Sequence, residues 1–204
     1  MASGDHEWAG ETVRDEDWYA RDLSGLTFRD CTFRDVDLTE VVTEGTTFES
    51  CTFAGCRLNA STHTSTAFVA CELRRTSLFG ATLDGCKVAG SVFVGCTLRP
   101  LTVRGGQWRG VVMRGADLGG LDLAGVTLTE ADLSEADLSA ASLRRCDLSR
   151  ASLRNATLHG TDLRGATLHG VDLEMARLHD TRVDLAGAVA LAEAHGAVVA
   201  DWAE

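Results

Sequence analysis

The chain has 204 residues, of which 45% are hydrophobic, and its 30 acidic and 19 basic residues give a formal net charge of −11. This charge disfavours direct nucleic-acid binding and favours a basic protein partner. Asp, Arg, Thr or Gly interrupts every apolar stretch, so no window is typical of a membrane span, and we expect no membrane contact.

Residues 1–20 are expected to form an acidic N-terminal tail and cap. They lack the apolar segment of a secretory signal peptide, and we therefore expect a soluble, cytoplasmic protein. Residues 1–12 are polar and expected to be disordered, whereas residues 13–22 lead into the first coil. We expect Trp8 and Trp18 to cover the rim of the fold at this end, and Trp202 at the other.

Residues 21–183 follow a strict five-residue repeat. From Leu23 to Val183, a large apolar residue recurs at 33 consecutive central positions without an insertion, and the only exceptions are Thr43 and His63. The residue two positions before each centre is small or slender, and the other three are mostly polar or Gly. A period of five fits neither an α-helix nor a flat strand. It indicates a chain that turns a corner every five residues, with the large and the small side chain both inside.

Four such units close a square coil of twenty residues, and successive coils stack about 4.8 Å apart. The predicted fold is an all-β solenoid: a right-handed quadrilateral β-helix of about eight coils with a short C-terminal α-helix. Glycines two residues after the centre, such as Gly80 and Gly85, are typical of turns that need positive φ. The predicted core columns are Phe28, Phe48 and Phe68; Phe33 and Phe53; and Leu38, Leu58, Leu78, Leu98, Leu118, Leu138, Leu158 and Leu178.

All seven cysteines occupy the small inward position, with Cys31, Cys51 and Cys71 in one column. We interpret them as small buried hydrophobes, because an odd number of cysteines in a cytosolic chain disfavours a disulfide framework.

Three histidines lie at positions that bear on the core or on metal binding. His63 occupies a central position next to Thr43 in its column, and we predict a local distortion that turns it out to solvent; a polar site is the alternative. His159 and His179 share an outward column one coil apart, but two histidines alone make a weak metal site. We expect no metal, no cofactor and no catalytic residue, because a filled solenoid has no cleft.

Residues 184–204 are predicted to form a helical cap and dimerisation segment. Asp184 is a suitable N-cap for a helix over about 185–195, and Gly196 a suitable residue just past its end. The segment is more apolar than a cap requires, which indicates a homodimer joined at this end; a monomeric cap is the alternative. The predicted interface comprises Leu185, Val189, Leu191, Ala192, Val198, Val199 and Trp202.

Acidic residues are concentrated towards the two ends of the chain. The net charge is −8 over residues 1–60, +4 over residues 61–110 and −7 over residues 111–204. In the second half, the residue before the central Leu is often Asp, which either hydrogen-bonds the turn backbone or forms an outward acidic surface. The predicted partner-facing residues are Asp117, Asp122, Asp132, Asp137, Asp147, Asp162 and Asp172.

The A-(D/N)-L-x-x pattern, as in Ala131-Asp132-Leu133, resembles the pentapeptide-repeat family over residues 21–183. Two segments, 90–102 and 182–196, and the uninterrupted register resemble its MfpA-like, Qnr-related fluoroquinolone-resistance branch. This resemblance implies a non-enzymatic, C-terminally joined dimer that imitates B-form DNA, binds DNA gyrase subunits in place of duplex DNA, and modulates gyrase or shields it from quinolone-like poisons. A structural or interaction scaffold for a different protein partner is the alternative. One departure is the basic middle, with Arg99, Arg104, Arg109 and Arg114.

Overall fold

A computed structural model describes residues 7–200, which form a parallel β-solenoid followed by an α-helix. Each strand pairs with the strand 20 residues further along, so that Phe28 lies beside Phe48 and Phe33 beside Phe53. The strands are β1 Glu7–Ala9, β2 Thr12–Arg14, β3 Thr27–Arg29, β4 Thr32–Arg34, β5 Val42–Glu44, β6 Thr47–Glu49, β7 Thr52–Ala54, β8 Thr62–Thr64, β9 Ala67–Val69, β10 Glu72–Arg74, β11 Thr82–Asp84, β12 Val92–Val94 and β13 Thr102–Arg104.

The solenoid has four faces, because central residues 20 positions apart fall in the same column. Face 1 carries the sheet β1-β3-β6-β9, face 2 carries β2-β4-β7-β10-β12, and face 4 carries β5-β8-β11-β13. Isolated parallel bridges hold face 3 together. By first and last central residue, face 1 runs from Trp8 to Leu168, face 2 from Val13 to Leu173, face 3 from Trp18 to Leu178 and face 4 from Leu23 to Val183.

The predicted fold class is confirmed, and the coil count differs slightly from the expected eight. Extended strands make about five turns, and isolated bridges continue the ladder towards the C-terminus. The expected disorder of residues 1–12 is wrong for residues 7–12, because β1 and the start of β2 already pair with the following coil. Residues 13–22 lead into the first coil as predicted. The ladder on face 2 therefore has nine rungs: Thr12, Thr32, Thr52, Glu72, Val92, Val112, Asp132, Ser152 and Asp172.

Stacked side chains fill the interior as the five-residue register predicts. The rings of Phe28, Phe48 and Phe68 stack on face 1 with centroids 4.9 and 5.0 Å apart, and Phe33 stacks on Phe53 at 4.9 Å. On face 3 the leucine column is buried from Leu38 onward, and only its last member, Leu178, is 38% exposed. The core thus runs the length of the rod, and each coil rises by about 4.9 Å.

Cysteine, serine and threonine at the small inward position do more than fill space. Cys51 Sγ donates a hydrogen bond to the carbonyl of Phe28 at 3.3 Å, and Thr161 Oγ1 donates to Leu138 at 2.7 Å. All seven thiols donate in this way to the carbonyl 23 residues earlier. They are free cysteines, and all are buried except the half-buried Cys96. A small side chain with a donor therefore gives a hydrogen bond to the carbonyl of the central residue 23 positions earlier. Ala or Val at the same position has no donor and could not form this bond.

The prediction that His63 turns out to solvent is wrong. His63 and Thr43 are both buried, and Thr43 Oγ1 lies 2.7 Å from His63 Nδ1. Ser61 Oγ lies 2.9 Å from His63 Nε2 and donates to the carbonyl of Leu58. Since that hydroxyl proton is already used, His63 donates from Nε2 and accepts at Nδ1. These bonds keep a polar side chain inside without distorting the coil.

The corners of the coil impose positive φ on almost any residue. Every corner position from Gly10 to Asp180, at intervals of five, has positive φ, except Pro100. Glycine accepts this conformation without strain, whereas Glu130 and Arg150 adopt it with φ of 60° and 59°. Their N–H groups donate to the next coil at 2.9 Å, which holds the corner in place.

The predicted C-terminal helix is confirmed as α1, Leu185–Ala194. Asp184 is its N-cap and accepts from the N–H of Gly187 at 2.9 Å, and its second oxygen accepts from the N–H of Gly165 at 2.6 Å. Gly196 follows the C-cap with φ +82°, as predicted. Within residues 7–200, no helix is long and apolar enough to cross a membrane. Trp202 lies outside the described residues.

Candidate protein-binding surface

The seven predicted aspartates share one local structure. In each, Oδ1 accepts the N–H of the residue two positions later, at 2.9–3.2 Å, which fixes the carboxylate against the corner that follows. The geometry therefore combines the two roles considered for these residues. One oxygen hydrogen-bonds the turn backbone, and the carboxylate remains on the outer surface. Asp117, Asp122 and Asp137 are exposed, whereas the other four are half-buried.

Hydrogen bonds and cations keep several of these carboxylates ionised. The side chain and N–H of Arg164 lower the pKa of Asp162 to about 2. Hydrogen bonds from the Ser149 side chain and N–H also lower the pKa of Asp147. Both groups therefore stay negative well below neutral pH.

The aspartates are distributed over all four faces. Asp117 and Asp137 form a parallel bridge on face 3, one coil apart as predicted. Asp122 and Asp162 lie two coils apart on face 4, which adjoins face 3. The remaining three residues occupy the opposite side of the rod: Asp132 and Asp172 on face 2, and Asp147 on face 1. A single flat partner therefore cannot contact all seven at once.

Faces 3 and 4 also carry acidic residues that the prediction omitted. Asp17 and Asp37 form a parallel bridge on face 3, and Asp22 lies on face 4. Each accepts the N–H two residues later, at 2.8–3.0 Å, as in the second half of the chain. Extending the same register to the first 40 residues could have found them. We call these residues, together with Asp117, Asp122, Asp137 and Asp162, the acidic strip.

The basic middle of the chain is neutralised by neighbouring coils. Arg99 pairs with Asp117 at 2.7 Å, and Arg114 pairs with Glu135 at 2.6 Å. Arg104 and Arg109 likewise pair with carboxylates of Asp84 and Glu130. These pairs are 18 to 21 residues apart in sequence, about one coil, so a linear count of charge could not detect them.

Ion pairing leaves part of the acidic strip free. Over residues 7–200, no Lys, Arg or His lies within ion-pair distance of Asp122, Asp132, Asp137 or Asp147. Of these four, only Asp122 and Asp137 are exposed, and both belong to the acidic strip. Among the seven predicted aspartates, the exposed carboxylates without an ion pair therefore lie on faces 3 and 4.

The predicted dimer residues divide into two groups. Leu185 is 82% exposed, Val198 is 91% exposed and Val199 is 48% exposed. Val189, Leu191 and Ala192 are half-buried, and Leu191 packs against the core of the last coils. Helix α1 thus covers the end of the solenoid with one side and leaves apolar side chains exposed beyond it.

Comparison with known proteins agrees with this geometry. The pentapeptide-repeat family matches residues 109–145 and 146–183 with eight copies of its repeat. The repeats of residues 109–183 are therefore similar to those of the pentapeptide-repeat family. The structure carries the same register back to Glu7, well before the matched residues.

Two relatives are informative. The pentapeptide repeat protein MfpA of Mycobacterium tuberculosis (strain ATCC 25618 / H37Rv) is 44% identical over 99 residues, which are 48% of this chain and 43% of that protein. Less than half of the relative is therefore matched. The structure of full-length QnrB1, a plasmid-mediated fluoroquinolone resistance protein, superimposes with a TM-score of 0.64 at 18% identity, covering 94% of this chain and 100% of that one. A trypsin-treated variant of QnrB1 gives a TM-score of 0.61 at 22% identity, covering 95% and 97%. At these identities the QnrB1 structures establish the fold alone.

Proposed function

We propose that this pentapeptide-repeat protein is a non-enzymatic DNA mimic that binds DNA gyrase where duplex DNA binds, and thereby modulates gyrase and protects it from quinolone-like poisons. The observation that carries this proposal is the acidic strip, two groups of fixed carboxylates on adjoining faces of a filled rod. Asp17, Asp22 and Asp37 form the first group, and Asp117, Asp122, Asp137 and Asp162 form the second. The 44% identity to part of MfpA supports the same assignment. Gyrase acts on chromosomal DNA, so the protein would work in the cytoplasm.

The dimensions of the rod suit such mimicry. Nine rungs at about 4.9 Å each give a length of about 44 Å. Two rods joined end to end would match about 26 base pairs of duplex DNA at 3.4 Å each. The two chains carry a net charge of about −22, roughly half that of such a duplex. The mimicry must therefore concentrate charge on one edge, and the acidic strip is that edge.

The proposed homodimer joins the C-terminal ends. Exposed Leu185, Val198 and Val199, together with Met175 and Leu178 on the last coil, supply an apolar surface beyond the solenoid. Large exposed side chains of this kind favour a partner of the same composition. We expect size-exclusion chromatography with light scattering to give twice the monomer mass, and Leu185→Asp to give the monomer. A wild-type monomer at high concentration would contradict the dimer.

The turn geometry allows charge to be removed without disturbing the fold. Asn at these positions keeps the Oδ1 acceptor for the turn N–H and loses the negative charge. The test and control variants defined below each also lose one exposed ion pair, that of Asp117 with Arg99 or of Asp172 with Arg154. The test variant is Asp117→Asn, Asp122→Asn and Asp137→Asn together, on faces 3 and 4. The matched control is Asp132→Asn, Asp147→Asn and Asp172→Asn together, which removes the same charge from the opposite side.

Both variants are compared with the wild type in gyrase supercoiling and in quinolone-stabilised DNA cleavage. The test variant should need about tenfold more protein for the same effect, since three exposed charge contacts are lost. The control variant should stay close to the wild type. No effect of the wild type on either reaction would contradict the proposal. An affinity capture that enriches another protein and no topoisomerase subunit would then favour a scaffold for that partner.

A further inference from the structure

The last two coils of face 3 bring three potential metal ligands together. The N–H of Gly160 donates to the carbonyl of His179 at 2.7 Å, so His159 and His179 lie directly one above the other. Their ring centroids are 4.6 Å apart. Asp180 completes the group, with Oδ2 3.5 Å from His179 Nε2. One ligand atom from each residue lies within 4.8 Å of the other two, and all three side chains are exposed.

We propose that His159, His179 and Asp180 form a surface site for a divalent first-row transition-metal ion such as Zn²⁺. Imidazole and carboxylate are ligands that Zn²⁺ uses, commonly three from the protein with water in the fourth position. In a tetrahedral site with Zn–N bonds of about 2.0–2.1 Å, the ligand atoms lie about 3.3 Å apart. In the structure the ligand atoms lie within 4.8 Å of one another, and rotation of the exposed side chains brings them to the shorter separation. The backbone ladder already holds the three residues in place.

The consequence of this site is a cross-link between the last coil and the one before it. The last coil is covered on one side only, so Leu178 is 38% exposed, whereas Leu158 in the same column is fully buried. His159 belongs to the inner coil, and His179 and Asp180 belong to the outer one. A bound ion would therefore hold the terminal coil, from which helix α1 continues, against the solenoid. This role is independent of gyrase binding.

The site can be tested by isothermal calorimetry, in which ZnCl₂ is titrated into the reduced, full-length protein without a histidine tag. The wild type should bind one ion with micromolar affinity, and the same ion should raise its melting temperature. His159→Ala and His179→Ala should each weaken binding about tenfold or more. His169→Ala removes an exposed histidine of face 1, outside the cluster, and should leave the affinity unchanged.

Circular dichroism establishes that each variant is folded before titration, and the cysteines are the same in all of them. The proposal is overturned by a wild type that binds no Zn²⁺ up to about millimolar concentration. It is also overturned by equal affinity in the wild type and both cluster variants, or by an equal loss in His169→Ala.

Discussion

The buried His63 should make the core sensitive to acid. Burial lowers the pKa of His63 from 6.5 to about 4. An unfolded chain binds a proton at this imidazole below pH 6.5, whereas the folded protein does not bind it until about pH 4. Stabilisation from the neutral side chain is therefore complete above pH 6.5 and is lost as the pH falls from 6.5 through 4. The loss in free energy of unfolding at pH 4 amounts to about 3 kcal/mol.

Urea unfolding of the wild type and His63→Leu at pH 7.5 and pH 4 isolates this contribution. Leucine is the residue that the same column carries at positions 23 and 83, so it suits the packing. The variant loses hydrogen bonds to Thr43 and Ser61, but that cost is the same at both pH values. Surface carboxylates titrate in both proteins and cancel in the comparison. The wild type should lose about 3 kcal/mol more than the variant between the two pH values. An equal loss in both proteins would refute the reasoning.

Three further predictions concern the core, two glycines with positive φ, and the helix cap. Leu138→Ala, at a fully buried position, should lower the free energy of unfolding by about 2–5 kcal/mol in urea titrations, and a loss below about 1 kcal/mol would argue against dense packing. Gly106→Ala should cost more than about 2 kcal/mol, because its Cβ would lie 2.5 Å from a backbone oxygen and φ is +118°. Gly110→Ala, with φ +64° and no atom within 4 Å of its Cβ, should cost about 1 kcal/mol in the same measurement, and equal costs would contradict the steric argument. Asp184→Ala should speed proteolysis of the C-terminal segment, whereas Asp184→Asn, which keeps an acceptor, should resist it; equal cleavage would count against the cap.

The sequence alone was sufficient to predict the solenoid and its inner columns. A five-residue period without insertions determines which side chains face inward, and the stacked phenylalanines and the leucines of face 3 follow directly from it. The helix was equally predictable, since Asp184 and Gly196 are local capping signals. The exception is residues 7–12, which are predicted to be disordered although Trp8 continues the five-residue register backwards from Val13 and Trp18.

Features that depend on contacts between coils were missed. The burial of His63 depends on hydroxyl partners at positions 43 and 61, which form its hydrogen bonds only after the coils stack. The pairing of Arg99 with Asp117 likewise joins residues 18 apart in sequence and turns an apparent basic patch into a neutral one. The arrangement of the seven aspartates over four faces required the register to be extended around the rod.

The most direct test of the proposed function is competition for gyrase between this protein and duplex DNA. Fluorescence anisotropy would follow a labelled duplex bound to gyrase while the unlabelled protein is added. The apparent Kd of the duplex should rise in proportion to the protein concentration, and added salt should weaken the competition. Simultaneous binding of duplex and protein to gyrase, with an unchanged Kd for the duplex, would contradict DNA mimicry.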